Sequence, residues 1–424
     1  MSKFNPIQSV RGMPEWYGKD CEKFMFIIDS ARVIAKNFNY QGIIMPVVEF
    51  ASTFERNLGE ESDIVSKELY KFTDKGGNVV ALRPEFTAGI VRFIIENSIH
   101  KKQPLPYKLF TSGPLFRYDR PQKGRYRQLN QINFENIGGC GFEYDFEVIL
   151  IANELLKYLN ICDYKLHINY IVSDERLEKY KQDLTEFLLK NKEKISQDSV
   201  KKIESGNVLR ILDSKSPQDI AIIELAPKII DYTNQEENKY IKNVFDLLQI
   251  FEIKYTVDNS LIRGMDYYTG IVFEFVAQTD SSQSALIGGG RYDKLIRTMS
   301  DGKVDLPCVG FAGGVERLLM AIDEKKVPNK FLIGIIYYSD NEKIFAIKTA
   351  QNLRQQNIQV EVIFSDNKIG KKFDIAAKIN CDLVIVCGED ELEDGFFTVK
   401  NMKTGHSEKI TQDRLVDYVN CSLK

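Results

Sequence analysis

Five cationic side chains crowd one short stretch, Phe116-Arg117-Tyr118-Asp119-Arg120-Pro121-Gln122-Lys123-Gly124-Arg125-Tyr126-Arg127-Gln128, around a Pro/Gly turn between two strand-like runs. Guanidinium forks match phosphate oxygens and never lose their charge, so a hairpin of this composition reads as a phosphate grip. At period two the return strand puts Gln131, Asn133 and Glu135 on one face and Ile132 and Phe134 on the other. The apolar face can pack on a core; the polar face can line a concave pocket with arginines at its mouth. Two further arginines stand beside glycines that permit close backbone approach. They are Arg263 in Arg263-Gly264-Met265-Asp266-Tyr267-Tyr268 and Arg317 in Gly313-Gly314-Val315-Glu316-Arg317. Three guanidinium groups gathered in one pocket suit a triphosphate. The competing reading of the turn by itself is a solvated, two-sided hairpin.

Other chemistries find less support. The Gly288-Gly289-Gly290 cluster fits neither the P-loop pattern nor the dinucleotide fingerprint. The three histidines, His100, His167 and His406, stand near no Ser/Asp or Cys constellation in the sequence, so histidine-based nucleophilic catalysis is not expected. Seven cysteines, an odd number without Cys-x-x-Cys spacing, read as reduced thiols of a cytoplasmic protein, and no metal site is expected from them. A net charge of −3 neither requires nor excludes a nucleic-acid partner. No run approaches the roughly 18 apolar residues of a membrane span, and the N-terminus lacks a basic segment followed by an apolar core. A soluble protein without membrane contact is expected.

The elements that must position these residues follow from periodicity. A chain of 424 residues suggests roughly two to three domains. Helical spacing runs from Asp20 to Phe38, and Tyr40 to Phe50 reads as a turn and a strand through Ile43, Ile44, Val47 and Val48. Leu69 to Leu82 alternates about a glycine turn as a β-hairpin. Arg83-Pro84-Glu85-Phe86-Thr87 is expected to open a helix toward Ser98 with proline in its first turn, which holds Glu85 and Thr87 at a strand-to-helix junction. Lys/Glu-rich sequence from about 172 to 255 predicts a helical insertion with solvated faces. From Lys330 strands and helices alternate, which predicts a separate α/β domain with a mostly parallel sheet after a linker at Pro328-Asn329. The expected fold is an α+β domain on a largely antiparallel sheet over residues 1–327, with that helical insertion, followed by an α/β domain over 330–424.

With these residues in view the chain resembles the histidyl-tRNA synthetase family of class II aminoacyl-tRNA synthetases, over nearly its whole length. The resemblance is carried by Arg-Pro-Gln-Lys-Gly-Arg-Tyr-Arg-Gln at 120–128, Leu-Ile-Arg-Gly-Met-Asp-Tyr-Tyr-Thr-Gly at 261–270, Gly-Gly-Arg-Tyr-Asp at 289–293 and Val-Gly-Phe-Ala-Gly-Gly-Val-Glu-Arg at 309–317. The first and last look like class II motifs 2 and 3, and the second like the family's histidine-specific motif. The resemblance implies activation of L-histidine by ATP, with Mg2+ on the phosphates, and transfer to the 3′-terminal adenosine of tRNA(His). By motif, Arg117 would hold the α-phosphate and Arg317 the γ-phosphate, and Arg263 would bridge substrate carboxylate and α-phosphate. Glu85, Thr87 and Gln131 would receive the α-ammonium group; Glu135 and Tyr268, with Tyr292 nearby, would read the imidazole. Arg120 and Gln122 would meet the acceptor end of tRNA, the α/β domain would bind the anticodon stem through cations such as Lys368, Lys371 and Lys372, and the chain would form a homodimer.

The sequence departs from the family pattern at Phe86, where glycine is more usual, at Asn130, where histidine is expected, at Tyr118-Asp119, and at Pro14-Glu15-Trp16 after Arg11-Gly12. A rival is the regulatory subunit of ATP phosphoribosyltransferase, which resembles the same catalytic fold. That subunit lacks the C-terminal domain and has a degraded histidine motif, and both are intact here. A glycine, threonine or proline synthetase is disfavoured by Tyr267-Tyr268 and Glu135.

Overall fold

The computed structural model describes residues 7–55, 67–262, 267–278, 285–323, 327, 330–365 and 367–422. Arg263 and the Pro328-Asn329 linker lie outside the described residues. The chain divides into two compact units, Met1–Val327 and Pro328–Lys424.

The first unit opens with α1 (Gly18–Asn37), whose buried Ile27, Ala31 and Ile34 recur at helical spacing. The strands that follow are β1 (Gln41–Gly42) and β2 (Val48–Phe50), then the short α2 (Ser52–Glu55), β3 (Lys71–Thr73) and β4 (Val79–Leu82). The single strand expected through Ile43 and Val48 is thus two short ones. β1 pairs parallel with a later strand, whereas β2 joins β4 and β3 in a separate three-stranded sheet. Helix α3 (Thr87–Glu96) begins three residues after Pro84, so the proline lies ahead of the helix and not in its first turn. The Glu85 carboxylate takes the place of a cap by accepting from the backbone N–H groups of Thr87 and Ala88 at 2.5 and 2.8 Å.

The large sheet is built from β5 (Tyr107–Phe116), β6 (Gln128–Ile137), β7 (Tyr164–Ile171), β8 (Tyr255–Val257), β9 (Gly270–Ala277), β10 (Ala285–Arg291) and β11 (Cys308–Gly314) together with β1, in the order β1-β5-β6-β11-β10-β9-β7-β8. Every internal pairing is antiparallel, and only the two edge strands, β1 and β8, pair in parallel. Phe134, Phe311, Phe273 and Phe275 point to one face, where α1, α4 (Phe142–Tyr158) and α10 (Val315–Ala321) bury them. The opposite face carries Asn133 and Glu135. The helical stretch between β7 and β8 has two allegiances. α5 (Asp174–Lys190), α6 (Gln197–Glu204) and α7 (Pro217–Ile223) share a core of their own around Tyr180, Leu184 and Ile211. By contrast, α8 (Gln235–Ile250) sends Ile241, Val244 and Leu248 into the core behind the large sheet. Its start is fixed by a capping box between Asn234 and Glu237. The short α9 (Lys294–Met299) follows β10 and packs Leu295 and Ile296 beside α3.

The second unit has a five-stranded sheet from β12 (Ile333–Tyr337), β13 (Val360–Val362), β14 (Leu383–Cys387), β15 (Phe396–Asn401) and β16 (Ser407–Thr411), in the order β13-β12-β14-β15-β16. β13, β12 and β14 run parallel, and β15 and β16 add an antiparallel hairpin. The helices are α11 (Asp340–Gln355), α12 (Ile369–Lys378), α13 (Glu389–Asp394) and α14 (Leu415–Ser422). Lys372, expected among the cations that meet the anticodon stem, is buried: its ammonium donates to the Tyr337 carbonyl at 2.8 Å and sits 3.6 Å from the centre of the Tyr337 ring. No helix of the described residues is long and apolar enough to cross a membrane.

Candidate active site

A cavity of about 610 Å³ opens on the polar face of the large sheet. Glu85, Thr87, Arg117, Gln131, Glu135, Tyr268, Tyr292 and Arg317 all line it, although they come from six separate stretches of chain. The strand register explains the convergence. β5 and β6 pair from Tyr107 opposite Ile137 to Phe116 opposite Gln128, which delivers Arg117 to the end of the hairpin. β11 lies on the other side of β6 with Gly310 opposite Glu135 and Gly314 opposite Gln131, so Arg317 follows one turn beyond.

The glycines of β10 and β11 are there for packing. A Cβ on Gly310 would run into the Glu135 carboxylate and stand 2.6 Å from the Phe134 carbonyl, and one on Gly289 would come within 2.8 Å of the Phe311 Cα. The Gly288–Gly290 run lies within β10, and its first residue, Gly288, lines the cavity. It is not a phosphate loop.

At the base of the cavity Glu135 is the hub of a buried network. Thr87 Oγ1 and Asn133 Nδ2 donate to its Oε1 at 2.6 and 2.7 Å, and the Tyr292 hydroxyl donates to Oε2. Burial pushes its carboxyl up to about 8, partly offset by these donors. Glu85 is also raised by burial, against the pull of the Ala88 and Thr87 N–H groups and the nearby Arg117 guanidinium. Tyr267, Tyr268 and Tyr292 form a cluster with ring centres 4.9 to 6.5 Å apart, and the Tyr267 and Tyr292 phenols are held neutral by burial. This end is therefore a buried, aromatic slot with the Glu135 carboxyl at its base and Glu85 nearby.

The other end is cationic. Arg117 Nε donates to the Pro84 carbonyl at 2.9 Å, which aims the rest of its fork into the cavity. Burial lowers its pKa from the ordinary arginine value. Arg317 donates to the carbonyls of Ala285 and Gly124 at 3.0 and 3.4 Å. Arg125, beside it, pairs with Asp119 and reaches Glu68 at 3.4 Å. Two other arginines serve structure. Arg83 donates to the carbonyls of Pro114, Met45 and Pro46, and its guanidinium lies 4.6 Å from the Phe86 ring. Arg291 pairs with buried Asp145 at 2.6 Å.

Arg120 and Gln122 are exposed at the hairpin turn and do not line the cavity. Asn133 lines it as the period-two pattern placed it, and Tyr267 lines it beside Tyr268; sequence reasoning assigned no role to Glu274 or the insertion residues Asp213 and Lys215, which also line it. Asp213 and Lys215 carried no local signal. The departures at Phe86 and Asn130 have structural partners. Phe86 is buried under Arg83, and Asn130 donates through N and Nδ2 to the buried Glu316 carboxylate at 2.9 to 3.0 Å.

His167 does meet an aspartate: its Nδ1 lies 2.9 Å from Asp258 Oδ2, because β7 and β8 pair in parallel and bring together residues 91 apart. The hydrogen bond to His167 is the main reason the Asp258 carboxyl falls to about 2. Ser260 Oγ donates to the same aspartate at 2.6 Å and not to the imidazole, so the order of a nucleophilic triad is absent.

The family model for histidyl-tRNA synthetase matches residues 18–318, and that for an anticodon binding domain matches residues 333–422. The chain belongs to the histidyl-tRNA synthetase family. Among curated relatives in this family, the histidine–tRNA ligase of Lactococcus lactis subsp. cremoris (strain SK11) is 38% identical over 403 residues, covering 94% of this chain and 93% of that one. The histidine–tRNA ligase of Orientia tsutsugamushi (strain Boryong) is 39% identical over 423 residues, covering 98% and 99%. The crystal structure of apo histidyl-tRNA synthetase from S. aureus superposes with a TM-score of 0.78 at 30% identity, covering 97% of this chain and 99% of that one. An ATP phosphoribosyltransferase regulatory subunit/histidyl-tRNA synthetase from Bacillus halodurans shares the fold alone, at 21% identity and a TM-score of 0.65.

Proposed function

We propose that the chain is a histidine–tRNA ligase: it activates L-histidine with ATP to histidyl-adenylate and pyrophosphate, then esterifies the 3′-terminal adenosine of tRNA(His). The observation that carries the reading is the division of one cavity into a buried carboxyl and tyrosine slot and an arginine-lined end. In the first step the histidine carboxylate attacks the α-phosphorus, and the bond from that phosphorus to the bridging oxygen of the leaving pyrophosphate breaks. Two anions must meet, so cations positioned where negative charge gathers are the main catalytic device, and no general base is required. Arg117 takes the α-phosphate and Arg317 the γ-phosphate. Arg263 is assigned by motif to bridge carboxylate and α-phosphate. In the second step the terminal ribose hydroxyl attacks the adenylate carbonyl and AMP leaves.

Glu85, Thr87 and Gln131 receive the α-ammonium group, and Glu135, Tyr268 and Tyr292 read the imidazole. A slot built to hydrogen-bond a ring nitrogen leaves buried polar groups unpaired when another side chain enters, and such sites reject analogues by about 10⁴ or more. Magnesium would screen the β- and γ-phosphates. Glu274, a carboxylate on the cavity side of β9, would offer it a hard oxygen ligand. Arg120 and Gln122, exposed on the turn, meet the acceptor end of tRNA, and the unit from 330 binds the anticodon stem. The chain acts as a homodimer in the cytoplasm.

Pyrophosphate exchange with each of the twenty amino acids tests the reading. Exchange with histidine alone is expected; exchange with glycine, threonine or proline, or with none, would overturn it.

A further inference from the structure

The segment ahead of α1 is strapped across the cationic hairpin. The Gly12 carbonyl accepts from the backbone N–H groups of Arg127 and Gln128 at 2.7 and 3.2 Å, and Met13 N donates to the Val10 carbonyl at 3.0 Å to close a turn. Gly12 sits at φ +83°, and a Cβ there would stand 2.8 Å from Pro121 Cγ and 3.1 Å from Arg127 Cγ. Glycine is therefore required on two counts, backbone conformation and close approach. Four residues on, Trp16, the chain's single tryptophan, lies between two aromatic rings. It stacks on Phe24 of α1 with ring centres 6.1 Å apart and meets Tyr126 edge-on at 6.2 Å and 87°.

Tyr126 is a cavity residue, flanked by Arg125 and Gly124. The Gly124 carbonyl is also an acceptor for Arg317. The row Phe24, Trp16, Tyr126 thus ties a helix packed on the rear of the large sheet to the cationic end of the cavity. From the other side the hairpin turn is held by the Arg127 guanidinium, 4.0 Å from the Tyr118 ring centre, and by its Nε bond to the Asp119 carbonyl at 3.2 Å. Without the strap, the return limb around Tyr126 has no apolar partner among the aromatic contacts described for it.

We propose that the strap Val10–Trp16 positions the nucleotide end of the cavity: Gly12 pins the return limb of the hairpin through its carbonyl, and Trp16 holds Tyr126 in the cavity wall. Trp16 touches no substrate; it acts through Tyr126. The inference rests on the reading of this cavity as the ATP and histidine site. It predicts an asymmetry, because the imidazole slot lies at Glu135, far along β6 from the strap's anchor at Gln128, and is completed by Thr87 of α3 and by Tyr292 just after β10, none of which touches the strap.

Trp16→Ala and Trp16→Phe test it in the full-length protein by pyrophosphate exchange, with ATP and histidine varied in turn. The alanine variant is expected to raise KM for ATP roughly two- to tenfold, the size of one lost aromatic pair, and to leave KM for histidine and the thermal midpoint near wild type. Phenylalanine should restore most of the loss. As the chain has one tryptophan, its emission in the wild-type protein should change on saturation with ATP and stay constant with histidine alone. An unchanged KM for ATP in Trp16→Ala, an equal rise in both Michaelis constants, or tryptophan emission that does not respond to ATP would overturn the strap while wild-type exchange with histidine persists. Absence of that exchange in the wild type would instead bring down the active-site reading, and the strap's role with it.

Discussion

Glu135, proposed to read the imidazole, also bears on stability. Its carboxyl is raised to about 8 in the folded protein by burial, against an ordinary value of 4.5. The unfolded chain releases that proton near 4.5 while the folded chain keeps it until about 8. The stability contribution is therefore fully present below the unfolded value and is lost as pH rises through this window. Glu135→Gln removes the titration, so its thermal midpoint relative to wild type should climb between about pH 4.5 and 8. A difference that stays flat with pH would contradict the raised carboxyl. In exchange kinetics the same variant should raise KM for histidine far more than KM for ATP, since Glu135 lies at the aromatic end of the cavity and away from the arginines. Equal rises in both constants would make its role structural.

At the scale of elements, the three-stranded sheet β2-β4-β3 has an apolar outer face. Phe50 and Phe72 both lie opposite Val80, one on each side, and both are about half exposed, as is Val48 in the neighbouring row. Isolated apolar side chains on a surface need no explanation, but a continuous row on one sheet face marks a contact. We expect a second copy of the chain to cover it. Phe50→Glu should halve the mass seen by sedimentation at micromolar protein, with exchange activity falling alongside; an unchanged sedimentation coefficient would move the interface elsewhere. What the sequence made legible about such elements followed its local periodicity. The alternation of Gln131 to Glu135 needs no partner to be read, and it correctly put Gln131, Asn133 and Glu135 on the cavity face and Ile132 and Phe134 in the core. What escaped depends on contacts far along the chain. His167 meets Asp258 through a parallel strand pair, Lys372 is buried by the carbonyl of a residue 35 positions away, and α8 leaves its helical neighbours for the core behind the large sheet. Pro84 was misplaced for a local reason: the Glu85 side chain caps α3, so the helix starts later than its proline suggests.

At the scale of the whole molecule, the chain consists of two compact units with separate cores. Ile335, Leu353, Ile385 and Val419 close the core of the second unit, and every residue lining the large cavity belongs to the first. We therefore expect chemistry on histidine and ATP to require only the first unit, whereas the match to an anticodon binding domain falls wholly in the second. Lys368 and Lys371 are exposed at the start of α12 and free to face phosphate; Lys372, buried against Tyr337, supports the fold. A chain ending at Val327 should keep histidine-dependent pyrophosphate exchange close to the full-length rate and lose most tRNA charging. The expected loss is about tenfold or more, since a tenfold drop in affinity is only about 1.4 kcal/mol, within reach of one or two charge-assisted contacts. Raising salt should narrow the gap by weakening the full-length protein's hold on tRNA while leaving exchange nearly unaltered. Equal charging by the two proteins at low salt would show that the second unit does not recognise tRNA.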